Sequence, residues 1–206
     1  MSQRQFLQQE AKTRAVAAIK EIELATSAEI VVSVRTRSAD YRLTAYQMGL
    51  CAMVIVVLAL LVLPWTFALE SILLHGMSAF LVVTLLAHLV PPLLRRFVRR
   101  ATREQNSHTL AHALFYEQGI SRTSGRNGIL VFVSLFERQC VVVPDIGIDE
   151  ARLGAGWQEV KSALSAAVAR TDVDAFFEAM RRMGPILGEA MPRMEDDVNE
   201  LSDEVC

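Results

Sequence analysis

Two acids sit four residues apart in Asp145-Ile146-Gly147-Ile148-Asp149, directly after an apolar run, and Glu29 and Glu150 offer further carboxylates. Carboxylate oxygens in that number suit Ca²⁺ or Mg²⁺, which need several oxygens converging at about 2.0–2.6 Å. A bound Mg²⁺ would polarise a phosphoryl oxygen and activate water. Arg122 or Arg126 would hold the remaining phosphate oxygens in bidentate fashion. The candidates are therefore Asp145, Asp149 and Glu29 for a metal, with Asn127 and Arg126 beside them for a ligand. The same residues have a plainer reading. Asp145 and Gly147 shape a bend after an edge strand, and Asp149 caps the helix that follows.

Other reactive groups are more scattered. Glu104, His108 and His112 are spaced by four and share one helix face, an arrangement that can present ligands to Zn²⁺. No H-E-x-x-H pattern accompanies them, and a solvated face is the simpler expectation. Cys51, Cys140 and Cys206 form no C-x-x-C pair and no thiol-phosphatase loop. Their wide spacing suits a reducing compartment. Ser33, Ser38 and Ser134 have no His–carboxylate partners suggested by spacing. Neither a glycine-rich phosphate loop nor a dinucleotide fingerprint occurs. A net charge of −2 gives no pull towards nucleic acid.

The elements that position these residues follow from periodicity. Phe6, Leu7, Ala11, Ala15, Ala18, Ile19 and Ile22 recur at three- and four-residue steps, which predicts a helix over 3–25. Ile30, Val32 and Val34 alternate in a strand over 29–35. The turn pair Asn127-Gly128 precedes a second strand, 129–135, apolar on both faces as a central strand would be. Phe136, Glu137 and Arg138 connect it to a third, 139–143. Two helices close the domain, one over 156–170 and one beginning at Thr171. The first two strands are separated by a long crossover and can pair in parallel, while the second and third form an antiparallel hairpin. That topology collects Glu29, Arg126, Asn127, Asp145 and Asp149 at one end of the sheet. Arg35, Arg37, Asp40 and Glu137 lie at the other.

The crossover is chemically unlike the rest. Among 206 residues with 21 basic and 23 acidic side chains, Glu70 is the sole Asp, Glu, Lys or Arg between Leu43 and Leu94. The positive mean hydropathy of +0.29 has its source there. Two stretches, about 45–63 and 71–92, are each long enough to cross a hydrocarbon core of roughly 30 Å. Trp65 and Phe67 in the turn between them are interfacial residue types. Residues 95–118 are expected to continue the second span as helix. His75 and His88 raise the question of an ion path, but two helices do not enclose a pore. Arg35, Arg37 and Arg42 precede the first span, and Arg95, Arg96, Arg99, Arg100 and Arg103 follow the second. The positive-inside rule then places both ends in the cytoplasm. The predicted organisation is an α/β domain from 1–43 plus 95–194, a transmembrane hairpin over 44–94, and an acidic tail over 195–206 with six acids and no base.

Several segments resemble a known family. Ala28-Glu29-Ile30-Val31-Val32, the run from Arg126 to Leu135, and Val141-Val142-Val143-Pro144-Asp145-Ile146-Gly147-Ile148 are similar to the TPM domain (thylakoid phosphatase-like). Trp157-Gln158-Glu159-Val160 and Asn199-Glu200-Leu201-Ser202-Asp203-Glu204-Val205 resemble its bacterial integral-membrane branch, in which a transmembrane hairpin interrupts the domain. The resemblance implies an α/β/α sandwich around a small mixed sheet. It also implies metal binding by acidic loop residues, at positions matching Asn127, Asp145 and Asp149, and an acid phosphatase activity in some members. Fold resemblance does not establish chemistry. Two functions are therefore expected. One is a non-enzymatic interaction or regulatory module at the inner leaflet of the bacterial cytoplasmic membrane, in contact with the bilayer and with membrane-protein partners. The alternative is a metal-dependent, acid-phosphatase-like hydrolase.

Overall fold

The computed structural model describes Phe6, residues 9–193, and residues 200 and 201. The chain divides into two compact units. One joins Met1–Ser38 to Glu104–Cys206, and the other is Ala39–Arg103. The unit boundaries thus fall a few residues inside those expected from composition.

The first unit is a mixed α/β structure built on three strands. β1 (Glu29–Arg35) pairs in parallel with β2 (Gly128–Ser134), and β2 pairs antiparallel with β3 (Gln139–Pro144), in the order β1-β2-β3. All seven residues of the central strand are buried, as its unbroken apolar run requires. Alternate side chains enter two separate apolar clusters. Ile129, Val131 and Val133 join Ile30 and Val32. They pack with α1 (Gln9–Glu23), α6 (Glu150–Arg170), α7 (Val173–Arg181) and α8 (Met183–Ala190), whose Trp157, Phe176 and Phe177 are the bulkiest contributors. Leu130 and Phe132 turn the other way with Val31, Val141 and Val143. They meet Ala111, Leu114 and Phe115 of α5 (Arg100–Glu117) and Ile120 of a short 3₁₀ turn, Ile120–Arg122. Helices therefore cover both faces of the sheet.

Three helix boundaries differ from expectation. The final helix is not continuous: α7 ends at Arg181 and a separate helix, α8, starts at Met183. Pro185 has no N–H for the Arg181 carbonyl, and its ring crowds that carbonyl. The helix over 156–170 begins earlier, at Glu150, and is interrupted at Gly154, whose φ is +67°. The helix expected over 95–118 is broken as well. α4 (Pro91–Phe97) stops at Val98, whose backbone is extended, before α5 begins.

At the end of the sheet where β1 finishes, a polar chain runs from the half-buried Ser38 to the buried Ser107, Ser134 and Glu137. Ser38 Oγ donates to Ser134 Oγ at 2.8 Å, and Ser134 Oγ donates to Glu137 Oε2. Glu137 is 0% exposed and its Oε1 accepts the Ser38 N–H at 2.9 Å. Ser107 Oγ of α5 lies 3.2 Å from Ser38 Oγ and supplies the hydroxyl that completes the series. A buried carboxylate is tolerable because each oxygen receives a donor.

The second unit contains α2 (Arg42–Val62) and α3 (Leu69–Leu89), each 21 residues and each long and apolar enough to cross a membrane. They pack side by side in opposite directions. Gly49 and Gly76 let them approach closely, since a β-carbon at Gly49 would collide with Thr84 and Phe80 and one at Gly76 with Val57. Only 11% of each apolar stretch is buried. Leu58, Leu61, Val62, Leu74, Leu81 and Leu85 are exposed by more than half.

Candidate functional site

The other end of the sheet gathers three loops. β1 opens with Glu29, β2 is preceded by Thr123–Asn127, and β3 is followed by Asp145–Asp149. The register Glu29↔Gly128 and Ile129↔Pro144 makes this convergence obligatory. Main-chain bonds fix it further: Glu29 N–H donates to Asn127 O at 3.2 Å, and Asp145 N–H to Gly128 O at 2.8 Å. Gly147 N–H donates to Arg126 O at 3.0 Å. Gly147 lies so close to this loop that a β-carbon would meet the Arg126 and Gly125 carbonyl oxygens. No other residue fits that approach.

Asp145 is the buried charge of the site, with a side chain 2% exposed. Its Oδ1 accepts from Ile146 N–H at 2.8 Å and pairs with Arg126 Nη2 at 3.0 Å. Among the described residues its Oδ2 is buried without a hydrogen-bond partner. Arg126 also donates to Ser121 O and holds a left-handed backbone, φ 51°. Asn127 donates through Nδ2 to Ser27 O, and its own N–H goes to Thr123 Oγ1 at 3.2 Å. Its Oδ1 is buried with no partner among the described residues. Glu29 is buried, and its Oε1 accepts the Glu200 N–H at 3.3 Å.

Glu200 is the residue at this end that local sequence patterns do not mark. Its carboxylate accepts the Ser124 hydroxyl and the Ser124 N–H, the latter at 3.0 Å to Oε2. The Ser124 hydroxyl first, and its N–H second, hold the Glu200 carboxyl below the usual glutamate range. Leu201, next in the chain, packs against the apolar cluster on the α5 face of the sheet. The rest of the acidic tail, apart from these two residues, lies outside the described residues.

The remaining candidates are committed elsewhere. Asp149 is the N-cap of α6: it accepts from Ala151 N–H at 3.0 Å and pairs with Arg152 at 3.3 Å. Glu150 accepts from Trp157 Nε1 at 2.7 Å and from Lys161 Nζ. Burial pushes the Glu150 carboxyl up, but the bonds from Lys161 and Trp157 and the Lys161 charge prevail and leave it lowered. Among the described residues no group of three or more His, Cys, Asp or Glu side chains is arranged to hold a metal ion. This covers Glu29–Asp145–Asp149 and Glu104–His108–His112 alike. The Arg126 guanidinium on Asp145 is also a poor neighbour for a cation. Among the described residues, then, the carboxylates named from the sequence are not gathered into one cation-binding set. Burial pushes the Cys140 thiol up to about 12, so it is not a thiolate nucleophile at neutral pH.

No family model matches the chain, and no curated protein is similar to it. Among solved structures, it is similar to the NMR structure of BA42 protein from the psychrophilic bacterium Bizionia argentinensis, at a TM-score of 0.58 and 15% identity. The likeness covers 96% of this chain and 92% of that one. At that identity it shows the fold alone.

Proposed function

We propose that the chain is a membrane-anchored, TPM-like module that acts by binding. The α/β unit is held at the inner leaflet of a bacterial cytoplasmic membrane by α2 and α3 and engages membrane proteins there. The observation that carries the anchor is the exposure of the two apolar helices, 11% buried over their apolar stretches. A core helix of the same composition would be mostly covered. Exposed apolar surface of this extent is stable in lipid and costly in water.

Binding is favoured over hydrolysis by where the charges of the site are spent. Asp145 is neutralised by Arg126, Asp149 caps a helix, and Glu29 receives a main-chain N–H. Each is a positioning contact, and none leaves a base beside a nucleophile. The hydrolase reading keeps one observation in its favour, the buried Oδ2 of Asp145. The two are separated by incubating the detergent-solubilised chain with p-nitrophenyl phosphate and Mg²⁺ or Ca²⁺. The binding reading expects no release of nitrophenolate above a protein-free blank. Metal-dependent release that disappears in Asp145→Ala would replace it with the hydrolase.

A further inference from the structure

The end of the sheet already holds a peptide. Glu200 and Leu201 make three unlike contacts there. The Glu200 carboxylate rests on Ser124 N–H and Oγ–H, its main-chain N–H on Glu29 Oε1, and Leu201 on the apolar cluster beneath. A side-chain charge, a backbone donor and the next apolar side chain are thus each read by a separate group. We infer that this end of the sheet is a recognition site for a peptide segment bearing glutamate followed by leucine, and that the chain's own Glu200–Leu201 occupies it in cis.

Two features argue for an exchangeable ligand and against a fixed strap. The contact is thinly covered: Glu200 and Ser124 are exposed, and Leu201 is half-buried. Contacts so accessible to water add little to fold stability and are readily traded. The tether is also short and begins nearby. Pro192 bridges to Thr26, Arg193 Nη1 donates to Glu23 O at 3.1 Å, and Glu200, seven residues on, meets the sheet at Glu29. A tether of about this length gives an effective local concentration of roughly millimolar. An incoming Glu–Leu segment of a membrane protein must outcompete that concentration, so the tail sets an affinity threshold for partners.

This inference deepens the binding reading and rests on it. Full-length chain carrying Glu200→Ala and Leu201→Ala, solubilised in detergent, is titrated with a fluorescein-labelled peptide of residues 194–206 while anisotropy is recorded. The double variant is expected to bind saturably. The wild-type chain binds at least about tenfold more weakly, because its own tail holds the site. Peptide carrying Glu200→Ala loses about tenfold, as expected for a charge-assisted contact. Should the double variant lose its melting transition, the chain ended at Arg193 takes its place with the same expectations. Absence of binding by a folded variant, equal binding by wild type and variant, or indifference to Glu200→Ala in the peptide would each overturn the inference. Any of those results leaves the phosphate-ester assay untouched, so failure here and failure of the binding reading are distinguishable.

Discussion

Arg126 closes the loop before β2 twice over, with a left-handed main chain and with a charge laid on Asp145. A long side chain at φ 51° is uncommon, and Asn or Gly would be easier there. The ion pair and the bond to Ser121 O account for its presence. Glu200 works differently, as an exposed acceptor whose proton affinity is lowered by Ser124. Its depressed folded value fixes the sign of a pH effect. The contact contributes fully above the usual glutamate range and is lost as pH falls from that range through the lowered value. Because the contact is exposed, the melting temperature of the wild type should exceed that of Glu200→Gln by only a small margin at neutral pH. The gap should close on acidification across that window. A gap that widens on acidification would show the sign to be wrong. Sequence reading placed Glu29, Asn127 and Asp145 at one end of the sheet because strand order alone determines that. It did not link Glu200 to Ser124, because an exposed serine and one acid among six carry no local pattern that joins positions 76 residues apart.

At the scale of elements, legibility follows how each boundary is enforced. β2 was readable because burial on both faces demands an unbroken apolar run. α8 was not anticipated: its apolar residues continue the spacing of α7, and only the missing N–H of Pro185 separates them. The close packing of α2 on α3 was equally hidden, since it relies on one glycine from each helix, Gly49 and Gly76, 27 residues apart in the chain. The turn between β2 and β3 carries the largest energetic consequence. The buried Glu137 satisfies the Ser38 N–H and the Ser134 hydroxyl. Glu137→Ala would leave the buried Ser134 hydroxyl and the half-buried Ser38 N–H unpaired, at a cost of about 1–3 kcal/mol. Glu137→Gln keeps one acceptor and should cost roughly half as much. Thermal melts of the two variants in the same detergent check the order. Equal melting temperatures for wild type and Glu137→Ala would show that the chain of hydroxyls does not stabilise the fold.

For the whole molecule, the charge distribution makes a claim that does not depend on the site. Arg42 stands at the start of α2, and Arg95, Arg96, Arg99, Arg100 and Arg103 follow α3, while residues 63–68 carry no Lys or Arg. The positive-inside rule puts the short connection outside and both flanks inside. A fluorescent reporter that matures only in the cytoplasm, fused after Cys206, should glow, and an alkaline phosphatase fused at the same point should stay inactive. The reverse pattern would invert the topology and remove the domain from the inner leaflet. With Glu70 the one Asp, Glu, Lys or Arg between Leu43 and Leu94, two long apolar helices were readable without a structure. The unit boundaries at Ser38 and Arg103 were less visible, because polar sequence continues for several residues beyond the α/β unit on both sides.

The parallel pairing of β1 with β2 also sets an order of events during synthesis. β1 leaves the ribosome first, the two apolar helices follow, and the strand that completes the sheet comes last. At about 5–20 residues per second, the interval between the two strands is roughly 5–20 s. Throughout it, Ile30, Val31 and Val32 have no sheet to join. Under the proposed membrane anchoring, the nascent chain delivers its helices to the insertion machinery while shielding an unpaired apolar strand, an open edge for aggregation. Overproduction that outpaces insertion should fail at that strand first.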